Sequence, residues 1–134
     1  MKLDALYRNI GALVLASFFL YACGAKKMDP NTAWSMMESP TVVIDVRTME
    51  EVTSGHLEGA LNIPYEDIVE GVASLGLAKD APIAVYCRSG NRSGIAQSML
   101  QAEGYTQVVN AGAYVDLASA NPNPNGAVNA HLSR

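Results

Sequence analysis

The apolar positions of this chain change their rhythm several times, and each change marks an element. Residues 10–22 are apolar and carry no charge. Further on, Ala33, Trp34, Met36 and Met37 supply one apolar helical face. Asp29 stands where the cap of that helix belongs, and Pro30 in its first turn, where no amide donor is needed. Residues 41–46, "TVVIDV", are β-branched and apolar in succession, which is how a strand covered on both faces reads. Thr48 with Glu51 makes a capping box and predicts a short helix over residues 49–53. A brief strand at 60–63 stops at Pro64, and residues 65–75 read as helix closed by Gly76. A second buried strand covers 82–86. A helix follows from about 93 to 103, with Ile95, Ala96, Met99 and Leu100 on one side and Gly104 at its end. A short strand at 107–109 and a last helix within 112–120 lead to a turn-rich tail, 121–134, expected to be mobile.

Strands alternate with helices throughout. The expected fold is therefore α/β: a central, mainly parallel sheet with helices on both faces. In such sheets ligands bind beyond the carboxyl ends of the strands. Two polar stretches fall there, "DVR" at Asp45 to Arg47 and "YCRSGNRSG" from Tyr86 onward.

Composition narrows the function. The chain has 134 residues, room for one domain, and a formal net charge of −4. It has no basic stripe and no aromatic–basic interleaving, so nucleic acid is not an expected partner. No metal-ligand spacing is present, so no metal or other cofactor is expected.

The first segment stands apart. Lys2 and Arg8 precede the uncharged run at 10–22, which is too short to span a bilayer. A basic start, a short apolar stretch and a small residue before a cut make a secretion signal. "LYAC", ending at Cys23, resembles the lipobox of bacterial lipoproteins. That resemblance implies cleavage before Cys23 and lipidation of its thiol. Gly24, rather than aspartate, resembles the outer-membrane default. The chain then divides into a signal (1–22), a linker (23–28), a domain (29–120) and the tail (121–134). The expected product is exported and lipid-anchored on the periplasmic face, with the outer membrane favoured.

With Cys23 acylated, Cys87 is the one free thiol, and no disulfide can form within the chain. It sits between a strand and a helix, in a loop of glycine, serine and arginine. Amides of a tight turn form an anion-binding nest, and the helix start adds unpaired donors. Gly90 lets the backbone bend, while Arg88 and Arg92 bring permanent positive charge. Such surroundings lower a thiol pKa, and the thiolate is the nucleophile. Amides and arginines are expected to carry most of that effect. An Arg47–Glu51 ion pair is expected at the end of the first short helix.

"CRSGNRSG", with "VVIDVRTMEEVTSGHLEGALNIP" upstream and "AQSMLQAEGYTQVVNAGAY" downstream, resembles the rhodanese family, in its exported single-domain, phage-shock-protein E type. The resemblance implies a rhodanese-like fold and a sulfurtransferase. Such an enzyme takes sulfur from thiosulfate, holds it as a cysteine persulfide, and passes it to cyanide or a thiol. Carried over, Cys87 is the nucleophile, and Arg88, Ser89, Gly90, Asn91, Arg92 and Ser93 form the substrate-binding loop. Asp45 and Arg47 support it. His56 lies in "GHLEGA", a family signature of mainly structural character, and His131 falls in the tail. A small single-domain enzyme of this kind needs no second copy to build its loop, so a monomer is expected.

Two other readings use the same residues. A sulfur-relay module would receive sulfur from a protein partner. A Cdc25-like phosphatase or an arsenate reductase would resemble a cysteine, five residues and an arginine, whereas four residues separate Cys87 from Arg92 here. Tyr86 also stands where those phosphatases carry histidine.

Overall fold

The computed structural model describes residues 28–133. The expected signal segment and Cys23 lie outside the described residues. In chain order the elements are α1 (Pro30–Met36), β1 (Val42–Asp45), α2 (Met49–Thr53), β2 (Leu61–Asn62), a 3-10 turn (Tyr65–Asp67), α3 (Ile68–Ser74), β3 (Ile83–Cys87), α4 (Asn91–Ala102), β4 (Val108–Ala113), α5 (Tyr114–Ser119) and a 3-10 turn (Ala130–Ser133). The four strands form one sheet in the order β2-β1-β3-β4, every pair parallel.

Strand periodicity sorts the core onto two faces. Val42 and Ile44 of β1, with Ile83, Val85 and Cys87 of β3, face α3 and α4 and pack on Ile68, Val72, Ala96 and Leu100. Val43 of β1, with Ala84 and Tyr86 of β3, faces α1 and α5 and packs on Ala33, Met37 and Leu117. Each fully buried Ile, Val or Leu removes apolar surface worth about 1.5–3 kcal/mol. Helices therefore cover both faces, and only that arrangement explains why β1 and β3 are buried at every position.

The helix starts follow from local chemistry. Asp29 caps α1, its carboxylate accepting from the Thr32 amide at 3.1 Å. Thr48 and Glu51 cap α2 reciprocally. Among the described residues no helix is long and apolar enough to cross a membrane.

The helix expected over 65–75 is a 3-10 turn followed by α3, and three further boundaries that differ from the sequence expectation bear on the site. Cys87 is itself the last residue of β3, and α4 begins at Asn91, not near Ser93. β4 runs to Ala113 instead of stopping at Val109, because a bulge inserts one residue. Val85 pairs with Asn110 and Tyr86 with Gly112, so Ala111 is left over. Gly112 takes φ +97°, a value a side chain would resist.

The turn-rich tail adds a contact that its sequence pattern does not announce. Residue Asn129 is 8% exposed and clasps β1. Its Oδ1 accepts from the Val43 amide at 2.7 Å, and its Nδ2 donates to the Val43 carbonyl at 2.8 Å and the Gly59 carbonyl at 3.1 Å. The reason is the shortness of β2. That strand pairs only with Ile44 and Asp45, so Val43 has no backbone partner on that side. The Asn129 amide offers one acceptor and one donor, as a neighbouring strand would.

Candidate active site

The site begins where β3 ends. The Cys87 side chain is buried, while Arg88, Ser89 and Asn91 are exposed around it as a rim. Gly90 adopts φ +92° and turns the chain so that its own amide points back at the sulfur. The Gly90 amide donates to Cys87 Sγ at 3.0 Å, and the Ser93 hydroxyl lies 3.3 Å from the same atom. Since α4 starts at Asn91, Ser93 belongs to its first turn, where amides lack intrahelical partners.

Electrostatics follow from these contacts. Burial pushes the Cys87 thiol up, but the Ser93 hydroxyl and the amides of Ser93, Ser89 and Gly90 outweigh it. The thiol is held below its ordinary value. Hydroxyl and amide donors lead this effect, so the share expected of the arginines is corrected.

The reason is where the guanidinium of Arg92 goes. It makes a forked ion pair with Glu51 of α2, with Nη1 to Oε2 at 2.7 Å and Nη2 to Oε1 at 2.8 Å. This contact with Arg92 holds the Glu51 carboxyl at about 2. Glu51 keeps its capping bond as well, accepting from the Thr48 amide at 3.0 Å. The expected Arg47–Glu51 pair is therefore not formed. Arg47 turns to Asp45 instead, with Nη2 to Oδ2 at 2.7 Å and both groups nearly buried. The two are two residues apart on the same strand end, and the Asp45 carboxylate also accepts from the Arg47 amide.

Asp45 and Arg47 do not enter the cradle. Asp45 lies in register with Tyr86, on the sheet face opposite Cys87. Arg47 donates to the Gly55 carbonyl at 2.7 Å and stacks over the Tyr114 ring at 4.4 Å. Tyr86 accepts from the Leu57 amide at 3.1 Å. Burial and the Asp45 carboxylate push its phenol well up, so it stays neutral. This cluster fixes the floor directly behind the cysteine. His56 is exposed, and its Nδ1 donates to the Leu57 carbonyl at 2.9 Å.

Asn110 was not read from the sequence. Its Nδ2 donates to the Gly90 carbonyl at 2.8 Å, while its Oδ1 accepts from the Ser93 hydroxyl at 2.7 Å and the Gly112 amide at 3.0 Å. One side chain thus orients both donors that reach the sulfur. A signal for it exists: asparagine is depleted in strands, and here it interrupts an apolar run two residues before a glycine.

Two hollows lie away from the cradle. One of about 250 Å³ lies among Trp34, Met37 and residues 121–131, and one of about 410 Å³ lies at Thr41, Pro82 and Gln107. Neither is lined by a cradle residue. Among the described residues no group of three His, Cys, Asp or Glu side chains is placed to hold a metal. What the cradle surrounds is one sulfur atom, Cys87 Sγ, met by an N–H and an O–H donor.

Known proteins share this frame. The chain is 41% identical over 75 residues to thiosulfate sulfurtransferase PspE of Escherichia coli K12, covering 56% of this chain and 72% of that protein. It is 31% identical over 83 residues to thiosulfate sulfurtransferase GlpE of Pseudomonas fluorescens, covering 62% and 74%. Protein HIGH ARSENIC CONTENT 1 of Arabidopsis thaliana is 36% identical over 112 residues, covering 72% and 66%. Among solved structures, an E. coli rhodanese with anions superposes with a TM-score of 0.56 at 40% identity, over 58% of this chain and 92% of that one. The human single-domain sulfurtransferase TSTD1 superposes with a TM-score of 0.59 at 26% identity, over 73% and 99%. The family model for the rhodanese-like domain matches residues 29–118, and with the cysteine cradle at the end of a central parallel strand this places the chain in the rhodanese-like domain family.

Proposed function

We propose that this sulfurtransferase takes sulfane sulfur from thiosulfate, or a similar donor, through a persulfide on Cys87. The observation that carries the reading is the donor ring on Sγ, from the Gly90 amide and the Ser93 hydroxyl. In the first half-reaction the Cys87 thiolate attacks the outer sulfur of thiosulfate. The S–S bond of the donor breaks and sulfite leaves with the electron pair, so no proton is needed. The terminal persulfide sulfur is anionic and polarizable, and amide donors suit it. In the second half-reaction cyanide or a thiolate attacks that sulfur, and the Cys87 thiolate leaves. Arg88, exposed at the rim, is placed to meet the sulfonate oxygens of the donor. Ser89 and Asn91 complete the rim, and Arg92 shapes the field through Glu51.

Cys87→Ser is expected to abolish thiosulfate:cyanide sulfur transfer, and mass spectrometry of the thiosulfate-treated wild type is expected to show one added sulfur on Cys87. Retained activity in the variant would overturn the mechanism. Persulfide formed only with a protein donor would turn the reading to a sulfur relay. Arsenate belongs in the substrate panel as the direct test of the arsenate-reductase reading. Against a phosphatase or arsenate reductase stands the short turn, which leaves only Arg88, Ser89 and Gly90 between strand and helix.

We also propose export and lipid anchoring at Cys23 on the periplasmic face, at the outer membrane, supported by the basic start, the short apolar run and "LYAC". Cys23→Ser is expected to release the protein from the membrane fraction; an unchanged acylated mass would refute the anchor.

A further inference from the structure

Four lysines and arginines fall among the described residues: Arg47, Lys79, Arg88 and Arg92. Arg47 is taken by Asp45, and Arg92 by Glu51. Lys79 donates to the Glu103 carbonyl at 2.8 Å and lies over the Tyr105 ring. Only Arg88, on the cradle rim, makes no such contact among the described residues. The loop thus brings two cations to the site, but α2 sends a carboxylate across to bind one of them.

That carboxylate is costly to explain as a helix device alone. The capping box needs only an acceptor at position 51, and glutamine fills that role equally. Glutamate adds a full negative charge to the Arg92 guanidinium, and what it neutralises is positive field that would favour the thiolate and the approach of an anionic donor. Sulfane donors come in two charge classes. Thiosulfate is a dianion, whereas in an organic thiosulfonate a carbon group replaces one charged oxygen and leaves a monoanion. Coulomb energy scales with donor charge, so any loss of positive field penalises the dianion twice as heavily.

Resting on the sulfurtransferase reading, we infer that Glu51 is a specificity-determining residue: its forked ion pair with Arg92 halves the free positive charge at the cradle and shifts preference from the thiosulfate dianion toward monoanionic sulfane donors such as organic thiosulfonates. The chemistry is the same for both classes. Thiosulfate gives persulfide plus sulfite, and methanethiosulfonate gives persulfide plus methanesulfinate, each by breaking the donor S–S bond with charge conserved.

The test is Glu51→Gln, which keeps the length and the capping acceptor; a melting curve checks that it folds. At low ionic strength kcat/KM for thiosulfate is expected to rise about 10-fold and that for methanethiosulfonate about 3-fold, the logarithms standing two to one. The gap is expected to shrink in high salt. Equal changes for the two donors, or a change favouring the monoanion, would overturn the inference. A second arm does not depend on turnover. Calorimetric binding of thiosulfate and of methanethiosulfonate to Cys87→Ser, with and without Glu51→Gln, is expected to show the same ratio. If wild-type protein forms no persulfide with either donor, the proposed function fails while this binding arm still decides the role of Glu51.

Discussion

The Ser93 hydroxyl has one hydrogen and two acceptors within reach, Asn110 Oδ1 at 2.7 Å and Cys87 Sγ at 3.3 Å. When Cys87 is a thiol, the hydrogen belongs with Asn110; when it is a thiolate or persulfide, the hydroxyl can turn to the sulfur, and Oδ1 still holds the Gly112 amide. Removing the hydroxyl leaves burial less opposed. Ser93→Ala is therefore expected to raise the thiol pKa and to lower kcat/KM about 10-fold or more, the worth of a hydrogen bond to a charged group. The pH dependence of alkylation by iodoacetamide checks this, because its midpoint moves alkaline. The sign for stability is the same one. A thiol held low in the fold adds stability above its unfolded pKa, and loses it as pH falls through the folded value. At this scale the sequence exposed Cys87, Gly90 and Ser93, which lie together within one loop. Asn110 and Glu51 escaped because they reach the loop from 17 to 41 residues away, through strand register and helix docking.

Between elements, the Glu51–Arg92 pair ties α2 to α4 across the mouth of the site. Glu51 is held at about 2 against an ordinary 4.5, so its share of stability is present above the ordinary value and drains away as pH falls toward 2. Acid unfolding followed by circular dichroism is expected to show this decline in the wild type and a flatter curve between those values in Glu51→Gln. Most elements were legible because their caps and hydrophobic runs are local: Asp29 with Pro30, Thr48 with Glu51, and the β-branched strand at 41–46. β4 was not. Asn110 and Gly112 are poor strand formers, and what keeps them in the sheet is the bulge opposite Val85 and Tyr86, a tertiary fact.

For the molecule as a whole, alternation of strand and helix was enough to foresee a parallel sheet covered on both faces. Strand order and the fate of the last residues were not foreseeable in the same way, since a turn-rich tail carries no periodic signal. The clasp made by Asn129 explains why that tail matters. Asn129→Ala leaves two backbone groups of Val43 buried without partners and is expected to cost about 1–3 kcal/mol, read as a lower urea midpoint with unchanged slope. Sulfur transfer by the folded fraction is expected to stay near wild type, because the clasp lies on β1 and not in the cradle. Timing adds a further consequence. A chain is made from its amino end, and Asn129 is made 86 residues after the Val43 that it clasps. The edge of β1 therefore waits on a side chain made long after it, and the closure entropy of that long loop is paid before the contact rewards it.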